Sequence, residues 1–244
     1  MTRHLFARLF AAAALALLLG PATVEARVFF RWGAVGASNR AIEAAGGKIA
    51  YAADITLNGG DAELTLFSFQ KPLAEVVQEL RRAFGDGDFA YQGGTLAQAA
   101  VKAEGRVLRL AALRLDSYGQ TLVFKVDQSQ REFDASQTPA QRPESEGIPS
   151  YPGSTPVFYA ADKNAQMSLS VETAAGVTES IRPALSAQLA ASGWTPAIPA
   201  RKPKPASGMD VFLKNGEVCC LLVSPSSKPG EARITLLHKK NRVE

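Results

Sequence analysis

Apolar and polar residues follow one another along the first half of the chain in patterns that predict strands and one helix. Two apolar runs flank Asn58-Gly59-Gly60-Asp61, a turn sequence typical of a β-hairpin. From Leu73 to Phe84 the apolar residues fall on one helical face, and Pro72 and Gly85 mark the helix ends. The predicted elements are the strands Ile49–Leu57 and Ala62–Phe69, the helix Pro72–Phe84, and the strands Leu96–Ala103, Arg106–Leu115 and Thr121–Val126.

The second half of the chain repeats this order. Its predicted elements are the strands Pro156–Ala160 and Met167–Val171, the helix Val177–Ala191, and the strands Met209–Leu213, Glu217–Val223 and Arg233–His238. Asn215-Gly216 predicts a tight hairpin turn, whereas Pro183 should kink the helix or make it start late. We therefore predict an α+β fold of two tandem ββαβββ domains, each an antiparallel sheet with one helix packed on a face. Chance similarity is the alternative, because hairpin–helix–hairpin orders are common in α+β proteins.

A segment rich in Pro, Ser, Gln and Glu separates the two halves. Residues Gln128 to Ser150 have no periodic apolar pattern, which is typical of a linker or a long surface connection. The predicted organisation is a signal peptide over residues 1–26, a first α+β domain over 27–127, a linker over 128–150 and a second α+β domain over 151–244.

One strand in each half is apolar on both faces. These strands contain Val107 to Leu113 and Val218 to Val223, and neither shows the apolar–polar alternation of a strand with one wet face. A helix covers only one side of a sheet. We therefore expect the sister sheet or a partner protein to cover the other side.

The N-terminal residues have the pattern of a cleaved export signal. Arg3, His4 and Arg8 precede an apolar run of 11 residues, Leu9 to Leu19, and small residues precede a cleavage point after Ala26. The run is shorter than the ~20 apolar residues that span a bilayer, and no later stretch approaches that length. We expect a periplasmic or secreted protein with no transmembrane segment after signal cleavage.

The net charge argues against a nucleic acid partner, and the cysteine content argues against a fold that depends on disulfides. The formal net charge of +4 is mild, so we expect no nucleic acid partner. The two cysteines, Cys219 and Cys220, are adjacent, and a small exported domain that relied on disulfides would have more of them, spaced apart. We expect both to fill an apolar strand, with a vicinal disulfide as the disfavoured alternative because neighbouring strand side chains point to opposite faces.

We predict no catalytic, cofactor-binding or metal site. His238 is the only histidine after the signal, so a Ser-His-Asp or Cys-His arrangement would have to use it, and one histidine is too few for the usual zinc sites. We expect it to be a strand-end or surface histidine.

Ser68-Phe69-Gln70-Lys71 matches S-x-x-K of serine β-lactamases, but S-D-N and K-T-G are absent. Gly85 to Ala90 has the spacing of a dinucleotide loop but follows a helix instead of opening one, and Asp86 and Asp88 are too few for a calcium loop.

The densest basic stretch is a candidate contact for an anionic partner. Arg201, Lys202 and Lys204 alternate with prolines, which keep such a segment extended and exposed. The alternative is a solvated loop.

The opening Tyr151-Pro152-Gly153, followed by a helix that ends in Gly193-Trp194 and then a hairpin, resembles small exported domains of uncharacterised bacterial envelope proteins. The resemblance covers about Ile148 to Lys239 and is absent from Arg27 to Asp127, which lacks the tyrosine-proline-glycine opening. It implies an α+β fold and an envelope setting, and it implies no site and no activity. We expect Trp194 and Tyr151 to seal the edge of a core.

These patterns favour a non-catalytic binding or assembly module of the bacterial cell envelope that acts through protein–protein contacts. An exported hydrolase that uses carboxylates is one alternative, because 22 acidic residues remain after the signal and nothing singles out a pair. An inhibitor or chaperone of a secreted enzyme is another.

We predict that the exported form of the protein begins at Arg27, because Ala26 offers a small residue before the cleavage point. Expression of the full chain in a bacterial host and N-terminal sequencing of the periplasmic protein measures this. Ala26→Glu should leave the precursor uncleaved, and recovery of wild-type chain that retains Met1 would contradict the prediction.

Overall fold

A computed structural model of the protein describes residues 26–27, 36–85, 89–92, 94–103, 105–115, 119–143, 146–162, 164–197 and 209–240. The chain forms two compact units, the first comprising Met1–Ile55 and Gly60–Ala135 and the second Thr56–Gly59 and Ser136–Glu244. Both mix helices with mostly antiparallel strands, so the α+β prediction is confirmed at this level. No helix in the described ranges has the length and apolar character needed to cross a bilayer.

The first unit is a sheet in the order β1-β5-β6-β7-β3-β2, with β4 beside β5. Its strands and helices are β1 Ala26–Arg27, α1 Gly36–Ala44, β2 Lys48–Leu57, β3 Gly60–Phe69, α2 Leu73–Phe84, β4 Ala90–Gln92, β5 Leu96–Ala103, β6 Arg106–Leu115, β7 Gln120–Ser129 and α3 Gln130–Ala135. Asn58 and Gly59 both have positive φ, as the two-residue turn that joins twisted antiparallel strands requires. The predicted hairpin is therefore confirmed.

Helices α1 and α2 lie over the core of the first unit. Leu73, Val76, Val77, Leu80 and Phe84 form the buried stripe of α2, as their spacing predicts. They pack against Phe67 of β3 and against buried residues of β5 and β6. Helix α1, which the sequence pattern did not predict, adds Ile42 to this core.

The opposite face of the same sheet is also buried. Val107 and Ala111 on β6 and Phe124 and Val126 on β7 are at most 2% exposed. Helix α3 contacts β3, β6 and β7. Burial on both faces agrees with the apolar pattern of β6, whose second face a single helix could not cover.

The second unit is an antiparallel sheet in the order β8-β9-β13-β12-β11-β10. Its strands and helix are β8 Thr155–Asp162, β9 Met167–Ala175, α4 Thr178–Ala191, β10 Thr195–Pro196, β11 Asp210–Lys214, β12 Glu217–Pro225 and β13 Glu231–Lys239. Positive φ at Asn215 and Gly216 makes the predicted turn between β11 and β12.

Helix α4 packs its apolar stripe on this sheet. Ile181, Leu185 and Leu189 meet Trp194 and buried residues of β12 and β13. The helix begins at Thr178, five residues before Pro183, so the predicted alternative of a late start is wrong. Arg182 Nε donates to Asp210 Oδ2 at 2.6 Å and ties α4 to β11.

The segment predicted as a linker contains ordered structure. Strand β7 continues to Ser129, α3 follows directly, and Arg142, Glu146 and Ile148 are buried. The prediction of a surface connection is wrong for these three residues, because the guanidinium of Arg142 bonds to backbone and side-chain oxygens that hold the segment down.

We predict that Leu80→Ala lowers the free energy of unfolding by about 2–5 kcal/mol, because Leu80 is 0% exposed and the substitution leaves a cavity under α2. Urea unfolding followed by circular dichroism measures the change. Gln78→Ala, on the exposed side of the same helix, is the matched control and should stay within about 0.5 kcal/mol of wild type. Equal losses in the two variants would contradict the packing described.

Candidate functional site

Four ionisable side chains meet inside the second unit, around His238. His238 lies on β13 opposite Cys219 of β12 and Ser168 of β9. It is the penultimate residue of β13, so the strand-end prediction is confirmed, but it is only 2% exposed, so the surface alternative is wrong. The imidazole is enclosed because the edge of Trp194 lies against it, with ring centroids 5.7 Å apart, and because Glu146 reaches it from the 136–150 segment.

The imidazole of His238 lies between two carboxylates. Its Nε2 is 2.8 Å from Glu217 Oε2, on the strand-β12 side, and its Nδ1 is 3.8 Å from Glu146 Oε2. The Tyr159 hydroxyl on β8 donates to the other Glu146 oxygen, Oε1, at 2.7 Å. We call these four residues the His238 cluster. It joins β8, β12, β13 and the 136–150 segment through side chains alone.

Electrostatics in the His238 cluster favour an ionised Glu146. Burial by itself would raise the pKa of this carboxyl, but His238 and the hydroxyls of Tyr159 and Ser168 outweigh burial and hold the pKa below its ordinary value. Burial and the adjacent Glu146 carboxylate raise the pKa of Tyr159. The cluster therefore keeps a carboxylate and a protonated phenol in contact over the physiological pH range.

Arg142 anchors the segment that carries Glu146. Its Nη1 donates to Ser170 Oγ at 3.2 Å, and its Nη2 donates to the carbonyl oxygens of Ile148 and Pro149 at 3.1 and 3.2 Å and to Ser150 Oγ at 3.0 Å. Glu172 Oε1 lies 3.8 Å from the same nitrogen. These bonds fix the segment against β9 and so determine where Glu146 meets His238.

The cysteines do not form a nucleophile with His238. Cys219 and Cys220 are free thiols, 0% and 8% exposed, which confirms the prediction that they fill a core strand. Burial raises the pKa of Cys219 to about 12, with a further contribution from Cys220. Because the thiolate is the reactive form, a thiol that stays protonated is a poor nucleophile.

A second buried ionic cluster lies in the first unit. Lys125 of β7 is 0% exposed, and its Nζ donates to Ser38 Oγ of α1 at 3.0 Å and lies 3.4 Å from Glu63 and 3.7 Å from Asp127. Arg106 binds the other oxygen of Asp127 at 2.6 Å. Lys125 is therefore a buried cation held between two carboxylates and a hydroxyl, which is the compensation that a charge inside a core requires.

Arg109 of β6 is a further cation held inside the first unit. Its guanidinium lies over the Phe133 ring at 5.4 Å, and its Nη2 donates to Gln128 Oε1. Burial lowers the pKa of Arg109 to about 10. The arginine thus connects β6 to α3 and to β7.

The sequence did not indicate either ionic cluster. Lys125 lies between Phe124 and Val126 in the predicted strand, and Glu146 and Arg142 fall in the predicted linker. A buried lysine needs a hydrogen-bonding or charged partner. The strand pattern does not show which face of the sheet α1 covers, so it does not show that Ser38 of α1 meets Lys125. A lone arginine and glutamate in a polar segment carry no periodic signal.

The other candidate residues from the sequence do not come together as a site. Ser68 Oγ donates to the Lys48 carbonyl, while Lys71 binds the Ala45 carbonyl and pairs with Glu79, so the S-x-x-K match is structural. Arg201, Lys202 and Lys204, and likewise Asp86 and Asp88, lie outside the described residues. Among the described residues, no group of three or more His, Cys, Asp or Glu side chains is arranged to hold a metal ion.

The second unit also carries an exposed apolar surface. Met209, directly before β11, and Leu213 on β11 are 37% and 43% exposed, and Val211 between them is half-buried. In the antiparallel register Val211 faces Cys220 and Leu213 faces Val218. We call this apolar surface, which lies on the side of the sheet away from α4, the helix-distal face. Its residues are Met209, Val211, Leu213, Val218, Cys220 and Leu222.

The fold and these clusters define a two-unit α+β protein with mostly antiparallel strands and internally paired charges. Comparison of the chain with protein-family models, with curated proteins and with solved structures gave no match. The function is therefore inferred from the chain's own residues.

We predict that Glu146→Gln lowers the free energy of unfolding by about 1–3 kcal/mol at pH 7, because the folded state stabilises the carboxylate. The folded-state pKa lies below the unfolded value of about 4.3, so this stabilisation is fully present above that value and is lost as the pH falls through the folded-state pKa. The gap between variant and wild type should therefore narrow below about pH 4. Urea unfolding at pH 7 and at pH 3.5 measures both gaps. Glu179→Gln, exposed on α4, should show neither effect.

Proposed function

We propose that the protein is exported and serves as a non-catalytic binding or assembly module of the bacterial cell envelope, through protein–protein contacts. The helix-distal face of the second unit carries the proposal. Its two exposed apolar side chains are Leu213 on β11 and Met209 directly before that strand, and Val218 and Leu222 of β12 are only half-buried. Contiguous apolar surface of this kind is typical of a protein contact site.

The state of the reactive side chains supports binding over catalysis. The His238 cluster and the Lys125 cluster each bind their charges internally, and burial holds the Cys219 thiol protonated. A catalytic group must reach a substrate atom, whereas His238 and Lys125 are at most 2% exposed. An exported hydrolase would need a carboxylate pair outside these clusters.

We infer that the two units are tandem copies of one ββαβββ plan with a short extra strand directly after the helix. Each has two strands, a helix, that short strand and three further strands, in that order. The strand orders also correspond, since β4-β5-β6-β7-β3-β2 in the first unit matches β10-β11-β12-β13-β9-β8 in the second. Duplication of this plan gives each unit its own sheet, and the faces of each sheet can contact a partner protein. The basic residues Arg201, Lys202 and Lys204 follow β10 in sequence and stay a candidate contact for an anionic partner.

A photo-crosslinking amino acid at position 213 in intact cells tests the proposal. We expect a covalent adduct with one defined envelope protein, and we expect Val211→Glu in the same chain to abolish the adduct, because a charge on the face opposes apolar burial. The matched control carries the crosslinker at position 177, where Val177 is 57% exposed at the start of α4.

Equal adducts from positions 213 and 177 would contradict a specific contact on the helix-distal face. Hydrolytic activity of the purified protein, with no adduct from either position, would favour the hydrolase. An adduct with a secreted enzyme whose activity or folding changes would favour the inhibitor or chaperone.

A further inference from the structure

The chain contains the dipeptide Asn-Gly twice, at Asn58-Gly59 and at Asn215-Gly216. Each pair forms the two-residue turn of a β-hairpin, and the φ angles are similar, 45° and 90° in the first turn and 50° and 79° in the second. In this dipeptide the asparagine side chain is open to attack by the next backbone nitrogen, because glycine has no side chain to hinder it. The two turns therefore offer the same reaction in a similar backbone geometry.

The side chain of Asn58 is held at both ends. Its Nδ2 donates to the carbonyl oxygen of Ser136 at 3.0 Å, and its Oδ1 accepts from the backbone nitrogen of Tyr159 at 2.8 Å. Asn58 is also half-buried. Rotation of this carboxamide toward the nitrogen of Gly59 would break both side-chain hydrogen bonds, so the fold opposes the reaction at this position.

Asn215 has no such restraint. Its side chain is exposed, and no described residue forms a hydrogen bond with its carboxamide. Gly216 is exposed as well, and its backbone nitrogen donates to no oxygen of the described backbone. Nothing in the part of the chain that the structure describes therefore holds the Asn215 carboxamide away from the Gly216 nitrogen.

We propose that Asn215 is a site of spontaneous deamidation and that the fold protects Asn58 from the same reaction. The backbone nitrogen of Gly216 loses its proton to hydroxide and attacks Cγ of Asn215, so that a C–N bond forms. The side-chain nitrogen takes a proton from water and leaves as ammonia. Water then opens the resulting cyclic imide at either of its carbonyl carbons, which gives aspartate or isoaspartate. The net reaction consumes one water and releases one ammonia.

The products alter the hairpin that carries part of the helix-distal face. Leu213 pairs with Val218, and Lys214 pairs with Glu217 next to the turn. Aspartate adds a negative charge at the exposed end of this hairpin. Isoaspartate adds a methylene to the main chain, and because turn length fixes the register of a hairpin, the pairing of β11 with β12 has to change.

The modification goes beyond the proposed function, because it needs water and no partner protein. Purified protein is kept in warm, mildly alkaline buffer and digested in acid, and the peptides that contain positions 58 and 215 are compared by mass spectrometry. Position 215 should deamidate faster than position 58 by about tenfold or more, since two hydrogen bonds of ordinary strength oppose the reaction at Asn58. Both aspartate and isoaspartate should appear at position 215, whereas direct hydrolysis of the side chain gives aspartate alone.

The unfolded chain is the matched control for the two positions. In concentrated urea the hydrogen bonds of Asn58 are lost, so both dipeptides should deamidate at similar rates. Asn215→Gln should remove the fast reaction without a change of charge, because glutamine would have to form a larger ring. Asn164→Gln, exposed in the turn between β8 and β9, should leave the rate at position 215 unchanged. Circular dichroism establishes that each variant is folded, and the wild-type comparison depends on neither.

Three results would overturn the proposal. The first is a folded protein in which Asn58 deamidates as fast as Asn215, and the second is a product at position 215 that contains aspartate without isoaspartate. The third is an intact Asn215 in the folded protein after an incubation that deamidates both positions in urea. None of these results depends on a partner at the helix-distal face, so the modification can fail while the proposed envelope contact stands, and the reverse.

Discussion

Burial of charge is the constraint on which the interior of this protein depends. An ion removed from water is tolerated only when an opposite charge and hydrogen bonds compensate for the lost hydration. Lys125 meets this requirement with Glu63, Asp127 and the Ser38 hydroxyl, and Arg142 meets it with four oxygen atoms and the nearby Glu172. Each buried cation therefore fixes a piece of chain that has little apolar surface of its own, namely α1 in the first unit and the 136–150 segment in the second.

The same compensation bears on function. A side chain that neutralises its neighbour inside the core is not available to a substrate, and the most reactive residue types of the chain are placed in this way. His238 contacts two carboxylates, and the Cys219 thiol is buried beside it in the sheet. Among the described residues, the helix-distal face of the second unit presents apolar side chains to solvent, with Met209 and Leu213 more than one third exposed. It is a strand surface, which suits a contact with another polypeptide through side-chain packing.

Strands and hairpins could be predicted well because their signals are local. The bounds of β5 and β6 agree with the predicted Leu96–Ala103 and Arg106–Leu115, and both Asn-Gly turns adopt the expected positive φ. Helix α2 followed from its apolar stripe. Helix α1 did not, because Ile42 is the one large apolar residue that it buries, and its position depends on Ser38 meeting a lysine 87 residues away.

The sequence by itself determined the α+β class, the hairpin turns and the cysteines as core residues, since each of these depends on periodicity or on neighbours in the chain. Only the tertiary structure decided that His238 is buried between Glu146 and Glu217, that Lys125 lies in a core, and that Arg142 holds the predicted linker in place. These arrangements join residues distant in sequence, and the partner of a buried charge is specified by the packing of whole elements. No local pattern encodes that packing, so the ionic interior became visible only once the sheets and helices were assembled.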